Sequence, residues 1–229
     1  MLFLFIVSCQ GGSKENKDHK EPPFKYFVEQ FADLRIMRYQ VPGFDTLSLQ
    51  QKKLVYYLSE AALCGRDIIF DQYYKNNLTI RRTLEGIFEN YQGERNVQQW
   101  NRYMVYLKQV WFTNGIHHHY SNDKFVPGFD KNYFAELIRN SPNTKWPLKE
   151  NESVEAFITR VSSIIFDPAV DAKRLCTNDK LDIVANSACN FYEGVSRKEV
   201  ETFYASKGNK NDPRPVSWGL NSKVVKEKG

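Results

Sequence analysis

From Leu47 to Trp111 the apolar residues return at intervals of three and four positions rather than two, a spacing that commits this stretch to helices packed by one face. The first stripe, Leu47, Leu54, Val55, Leu58, Ala61 and Ala62, runs on toward Ile68, Ile69 and Phe70. A second helix is expected after Asn77. It places Ile80, Leu84, Ile87, Phe88 and Tyr91 on its apolar face and Arg81, Arg82, Glu85 and Glu89 opposite. A third is expected over about 97–112, where Trp100, Met104, Leu107, Val110 and Trp111 line up and Asn114-Gly115 supplies the stop.

The helical period disappears between Ile116 and Phe129, and Lys124 to Phe129 reads as an extended segment entering a turn at Pro127-Gly128. Asp130 is the expected cap of a further helix carrying Tyr133, Phe134, Leu137 and Ile138, which Ser141-Pro142-Asn143 ends. Another runs from Val154 to Phe166 and stops at Asp167-Pro168. Ser196 and Glu199 have the spacing of a capping box and announce a last helix bearing Val200, Phe203 and Tyr204. The segment from Lys180 to Tyr192 suits helix or strand equally. The change of texture around Ser141 to Asn151 is the candidate internal boundary, with no repeat on either side. The fold class expected is α+β, with helices dominant and strand a minority.

Charge narrows the function. The net +5 comes from 32 basic against 27 acidic residues spread along the chain, without the Lys/Arg stripe that neutralises a row of phosphates, so no nucleic-acid partner is expected. Four cysteines, Cys9, Cys64, Cys176 and Cys189, are too few and too irregular for a disulfide scaffold; a Cys176 to Cys189 bridge alone stays open. The first nine residues are a short apolar run ending at a cysteine, and Ile6-Val7-Ser8-Cys9 resembles the lipobox of a bacterial lipoprotein signal. Cys9 would then carry the lipid, residues 10–23 would be a polar tether, and the folded part would hang from a membrane of the bacterial cell envelope, on its periplasmic side or outer surface.

The residues with the most obvious chemistry are His117, His118 and His119. In an extended segment His117 and His119 face one side and His118 the other, so at most two share a metal, and the spacing offers no third ligand. The zincin motif His-Glu-x-x-His is absent, and the only other histidine is His19. No metal site is expected in this sequence; the rings read as hydrogen-bonding aromatics lining a surface or cleft. Nucleophile-elbow and phosphate-cradling motifs are missing as well, so motifs alone describe only a helical domain.

Resemblance adds more. The blocks Ile36-Met-Arg-Tyr-Gln-Val-Pro-Gly-Phe44, Leu49-Gln-Gln-Lys-Lys-Leu-Val-Tyr-Tyr-Leu58 and Gly65-Arg-Asp-Ile-Ile-Phe-Asp71 are similar to the bacterial branch of the dipeptidyl peptidase III family. So are Val110-Trp-Phe-Thr-Asn-Gly-Ile-His-His-His-Tyr120, Lys124-Phe-Val-Pro-Gly-Phe129 and Asp212-Pro-Arg-Pro-Val-Ser-Trp-Gly-Leu-Asn-Ser222, and the likeness extends from about Phe27 to the end. It implies a two-lobed zinc metallopeptidase that releases dipeptides from the N-termini of short peptides, with residues 24–229 supplying the N-terminal, lower-lobe portion and part of a small β-barrel. The family's His-Glu-x-x-Gly-His helix and later glutamate have no counterpart before Gly229, so zinc belongs to the full-length enzyme and no catalytic residue is expected here. By the same resemblance Tyr120 lines the pocket for the substrate's N-terminal residues, with His119, His117 and Asn114 beside it as substrate-binding residues. The alternative is a non-enzymatic, membrane-anchored surface lipoprotein that binds peptide or metal.

Overall fold

A computed structural model describes residues 23–208, 211–214 and 222–227. It opens with a hairpin of β1 (Phe27–Phe31) and β2 (Leu34–Met37), followed by a 3₁₀ turn at Phe44–Thr46. The helices α1 (Leu49–Cys64), α2 (Arg66–Tyr73), α3 (Asn77–Asn90), α4 (Gln98–Thr113), α5 (Lys131–Arg139) and α6 (Val154–Phe166) come next. The short strand β3 (Tyr192–Glu193), the helix α7 (Arg197–Lys207) and the strand β4 (Val224–Val225) complete the described residues. The fold is α+β: helices dominate, β1 and β2 pair antiparallel, β3 and β4 pair parallel, and the described residues contain no closed barrel.

Local chemistry explains the helix ends. The Ser48 hydroxyl accepts from Gln51 N at 3.3 Å while the Gln51 side chain accepts from Ser48 N at 2.9 Å, a reciprocal cap that starts α1. Ser196 and Glu199 form the expected equivalent at α7. Asp130 stands at the start of α5 but caps no backbone N–H; its carboxylate instead accepts a hydrogen bond from the Gln99 side chain, because α4 brings that amide within reach.

The core lies among α3, α4, α5 and α6. Ile80, Leu84 and Ile87 of α3 meet Tyr103, Leu107 and Val110 of α4, and Phe134, Leu137, Phe157, Val161 and Ile165 close the opposite side. Phe129, from the segment before α5, fills the centre, its ring 5.5–5.8 Å from those of Tyr103, Tyr106 and Phe166. Each such side chain contributes about 1.5–3 kcal/mol by leaving water. Residues on both sides of the 141–151 segment line this one core, and the segment packs onto it: a Cβ at Gly86 would stand 2.6 Å from Thr144 and 3.3 Å from Trp146.

Several expectations change. The first stripe does form a helix, but Gly65 divides it into α1 and α2, and no residue of α1 is buried; Leu49, Leu54, Tyr57 and Leu58 all face outward. On α4 the buried face includes Tyr103 and Tyr106, while Trp111 turns out of it. The 180–192 segment is neither helix nor strand over most of its length. Its turn is organised by Asp182, whose carboxylate accepts from Val184 N and Ala185 N at 3.0 Å and from Arg197 N. Cys176 and Cys189 are free thiols. The Cys9 lipobox, most of the 10–23 tether and residues 215–221 of the last resemblance block lie outside the described residues. No helix among the described residues is long and apolar enough to cross a membrane.

Candidate functional site

The segment from Asn114 to Asp123 is held at its base by one buried amide. Asn77, at the first position of α3, donates from Nδ2 to Phe70 O at 3.1 Å and to Asn114 O at 3.3 Å, and its Oδ1 accepts from Ile116 N at 3.2 Å. Asn114 ends α4 in the left-handed conformation, φ 55°, which asparagine tolerates better than most residues. Gly115 follows at φ 154°, where a Cβ would stand 2.1 Å from the Asn77 amide, so the glycine is what lets that amide approach.

Above this base the chain folds back on itself. His117 bridges Lys124, His118 N donates to Asp123 O at 2.8 Å, and Asn122 N donates to His118 O at 3.0 Å, leaving His119, Tyr120 and Ser121 at the tip. The His118 ring fixes that tip: its Nδ1 accepts from Tyr120 N at 3.2 Å and Ser121 N at 3.1 Å. The proton of the neutral ring therefore sits on Nε2, which donates to Asp33 Oδ2 at 3.1 Å and ties the loop to the β1–β2 turn. His119 stacks between its neighbours, its ring 4.5 Å from that of His118, 4.2 Å from Tyr120 and 5.4 Å from Phe112. Burial and the adjacent His118 hold its pKa below the ordinary value. Tyr120 itself is 82% exposed.

His117 does not join that cluster. The expected alternation fails because the chain turns at His118, so His118 and His119 come together while His117 points inward, only 2% exposed. Its Nε2 donates to Asp171 O at 2.7 Å, and its Nδ1 is buried without a partner. The Tyr74 ring meets it edge-on at 5.5 Å, and the Tyr74 hydroxyl donates to the Asp171 carboxylate while accepting from Asn76 Nδ2 at 2.7 Å. Burial lowers the His117 pKa and raises that of Tyr74, which keeps both rings neutral near pH 7. Beside them the ammonium of Lys124 donates to the carbonyls of Ile164, Asp167 and Val170, at the C-terminal end of α6 where a cation is favoured. Arg174 completes the frame, giving Nε to Asn122 Oδ1 at 3.0 Å and Nη2 to His119 O at 3.4 Å, with its guanidinium 4.2 Å above the Tyr73 ring.

Of the residues expected to contact substrate, the structure thus brings His119 and Tyr120 to the surface together, gives Asn114 a backbone-capping role at the edge of a groove, and sets His117 beneath the loop. The groove, of about 690 Å³, runs between the β1–β2 hairpin and α2–α4, with Phe31, Phe70, Trp111, Phe112 and Asn114 among its walls. Asn77, Asp171, Arg174 and Asp33 are the frame that sequence reasoning missed. Only Asn114-Gly115 carried a local signal. Among the described residues no three His, Cys, Asp or Glu side chains form a group fit to hold a metal ion.

Comparison with known proteins leaves the assignment to the chain itself. No protein-family model matches it, and no curated protein does. What the site offers chemically is recognition: an exposed phenol on a rigid tip, an imidazole stacked behind it and an aromatic-walled groove alongside.

Proposed function

We propose that this chain is the peptide-binding, lower-lobe portion of a zinc-dependent dipeptidyl peptidase of the dipeptidyl peptidase III type, supplying substrate-cleft wall and not the zinc site. The observation that carries the reading is Tyr120, 82% exposed on a loop tip whose backbone is held by the His118 ring, which accepts from Tyr120 N and Ser121 N, and by Arg174, which donates to His119 O. A rigid aromatic with a free hydroxyl loses little conformational entropy on contact and serves a peptide's side chain and backbone at once. The ordered sequence blocks from Ile36 to Ser222 support the same reading. So does α1, whose outward Leu54, Leu58 and Tyr57 suit a helix enclosed by further chain in a larger body.

In this reading His119 backs the phenol, His118 and Asp33 set its height over the groove, and His117, Tyr74 and Lys124 stiffen the base. Hydrolysis would require the zinc-bearing lobe, which supplies the activated water. The resemblance of Ile6-Val7-Ser8-Cys9 to a lipobox supports, within this reading, a lipid anchor at the cell envelope.

Calorimetric titration of the protein with tri- and tetrapeptides tests the reading. Peptides with a free N-terminus are expected to bind, and Tyr120→Ala to weaken them by about five- to tenfold, the scale of one aromatic contact. Absence of binding by every peptide, or equal binding by wild type and Tyr120→Ala, sinks it.

A further inference from the structure

Beside the Tyr120 loop, two consecutive aromatic residues of the last turn of α4 stand exposed at the wall of the groove, Trp111 at 37% and Phe112 at 43%. Each makes a contact that orients it. The Trp111 indole N–H donates to Glu85 Oε1 at 2.9 Å, which fixes the ring plane, and Phe112 rests edge-on against His119. Phe112, His119 and Tyr120 form a continuous row of rings leading from the groove to the loop tip.

The charges in this groove are unevenly committed. Lys108 pairs with Glu29 at 2.5 Å, and Arg81 is held by Asp67 at 2.7 Å and Glu85 at 3.4 Å while lying over the Phe70 ring. Arg66, at the first position of α2, lines the same groove, is exposed, and has no hydrogen-bond or ion-pair partner among the described residues. An apolar shelf with one uncommitted guanidinium is complementary to an apolar group followed by a carboxylate.

We propose that the groove takes the downstream part of a peptide, its apolar side chain on Trp111 and Phe112 and a carboxylate on Arg66. This rests on the peptide-binding reading of Tyr120 and narrows it to carboxylate-bearing peptides. The carboxylate belongs either to an acidic side chain or to the peptide's C-terminus.

Calorimetry with four probes decides between these outcomes: Ala-Ala-Phe-Glu and Ala-Ala-Phe-Gln, each as free acid and as C-terminal amide. The Gln amide, which lacks a carboxylate, is expected to bind about fivefold more weakly than the Glu free acid, and the gap to shrink at high salt, as for any partly exposed charge pair. Arg66→Gln, a change at an exposed position, is expected to abolish the gap while leaving the Gln amide unaffected and the thermal melt unchanged. Loss confined to the Gln peptides assigns the side chain, and loss confined to the amides assigns the C-terminus; either supports the site. If all four probes bind alike, or Arg66→Gln preserves the gap, the carboxylate site is refuted; should Tyr120→Ala still weaken every probe in that case, peptide binding at the loop stands without it. If none of the four binds the wild-type protein, both readings fall.

Discussion

At Asn114 a single residue meets a backbone requirement beside the histidine loop. Its φ of 55° and its carbonyl bond to Asn77 make it the end of α4, the stop that Asn114-Gly115 announces in the sequence. Asn114→Gly should therefore leave stability within about 0.5 kcal/mol, whereas Asn114→Val, forced into the left-handed region, should lose about 1–2 kcal/mol, read from urea midpoints. His117 yields a second expectation. Burial holds its imidazole below the ordinary 6.5, so as pH falls below that value the unfolded chain takes up a proton that the folded chain refuses. Stability from this residue is present above pH 6.5 and is lost as pH drops through the lowered folded value. Thermal melts taken at successive pH values should show the melting temperature falling as the pH drops below 6.5. His117→Phe should flatten that slope even if it lowers stability throughout, and an unchanged slope would contradict the assignment.

Among the elements, α1 and α3 have similar lengths and opposite circumstances. Leu84 of α3 is completely buried, so Leu84→Ala is expected to cost about 2–5 kcal/mol; Leu58 of α1 is exposed, so Leu58→Ser should cost less than about 0.5 kcal/mol in the same denaturation experiment. Periodicity placed both helices because the spacing of apolar residues is a property of each segment alone. It did not distinguish their burial, which depends on what each face meets. The Ser196 and Glu199 cap was legible because both partners lie within one turn, and the pause at Asn114-Gly115 for the same reason. Asp130 misled because its carboxylate found Gln99, 31 residues away, before it found its own helix.

For the whole molecule, α1 leaves Leu49, Leu54, Val55, Tyr56, Tyr57, Leu58 and Leu63 exposed, and Ile68 and Ile69 of α2 and Trp111 and Phe112 of α4 add to the apolar surface open to water. A dye that fluoresces in apolar surroundings, such as anilinonaphthalene sulfonate, is expected to bind the native protein. The double substitution Leu54→Lys and Leu58→Glu should reduce that signal without moving the denaturation midpoint. The candidate site was legible only in part at this scale. Tyr120 and His119 stood out through likeness to a family, while their supports did not, because Tyr74 meets Asp171 across 97 residues and Arg174 reaches Asn122 across 52. Such contacts leave no trace in local spacing. The Asn77 amide shows what they accomplish: it joins the last turn of α2, the end of α4 and the segment entering the histidine loop at one point. Three stretches knotted at a single side chain have no piecemeal route apart, so the platform beneath Tyr120 should open to solvent exchange only when the surrounding helices melt with it.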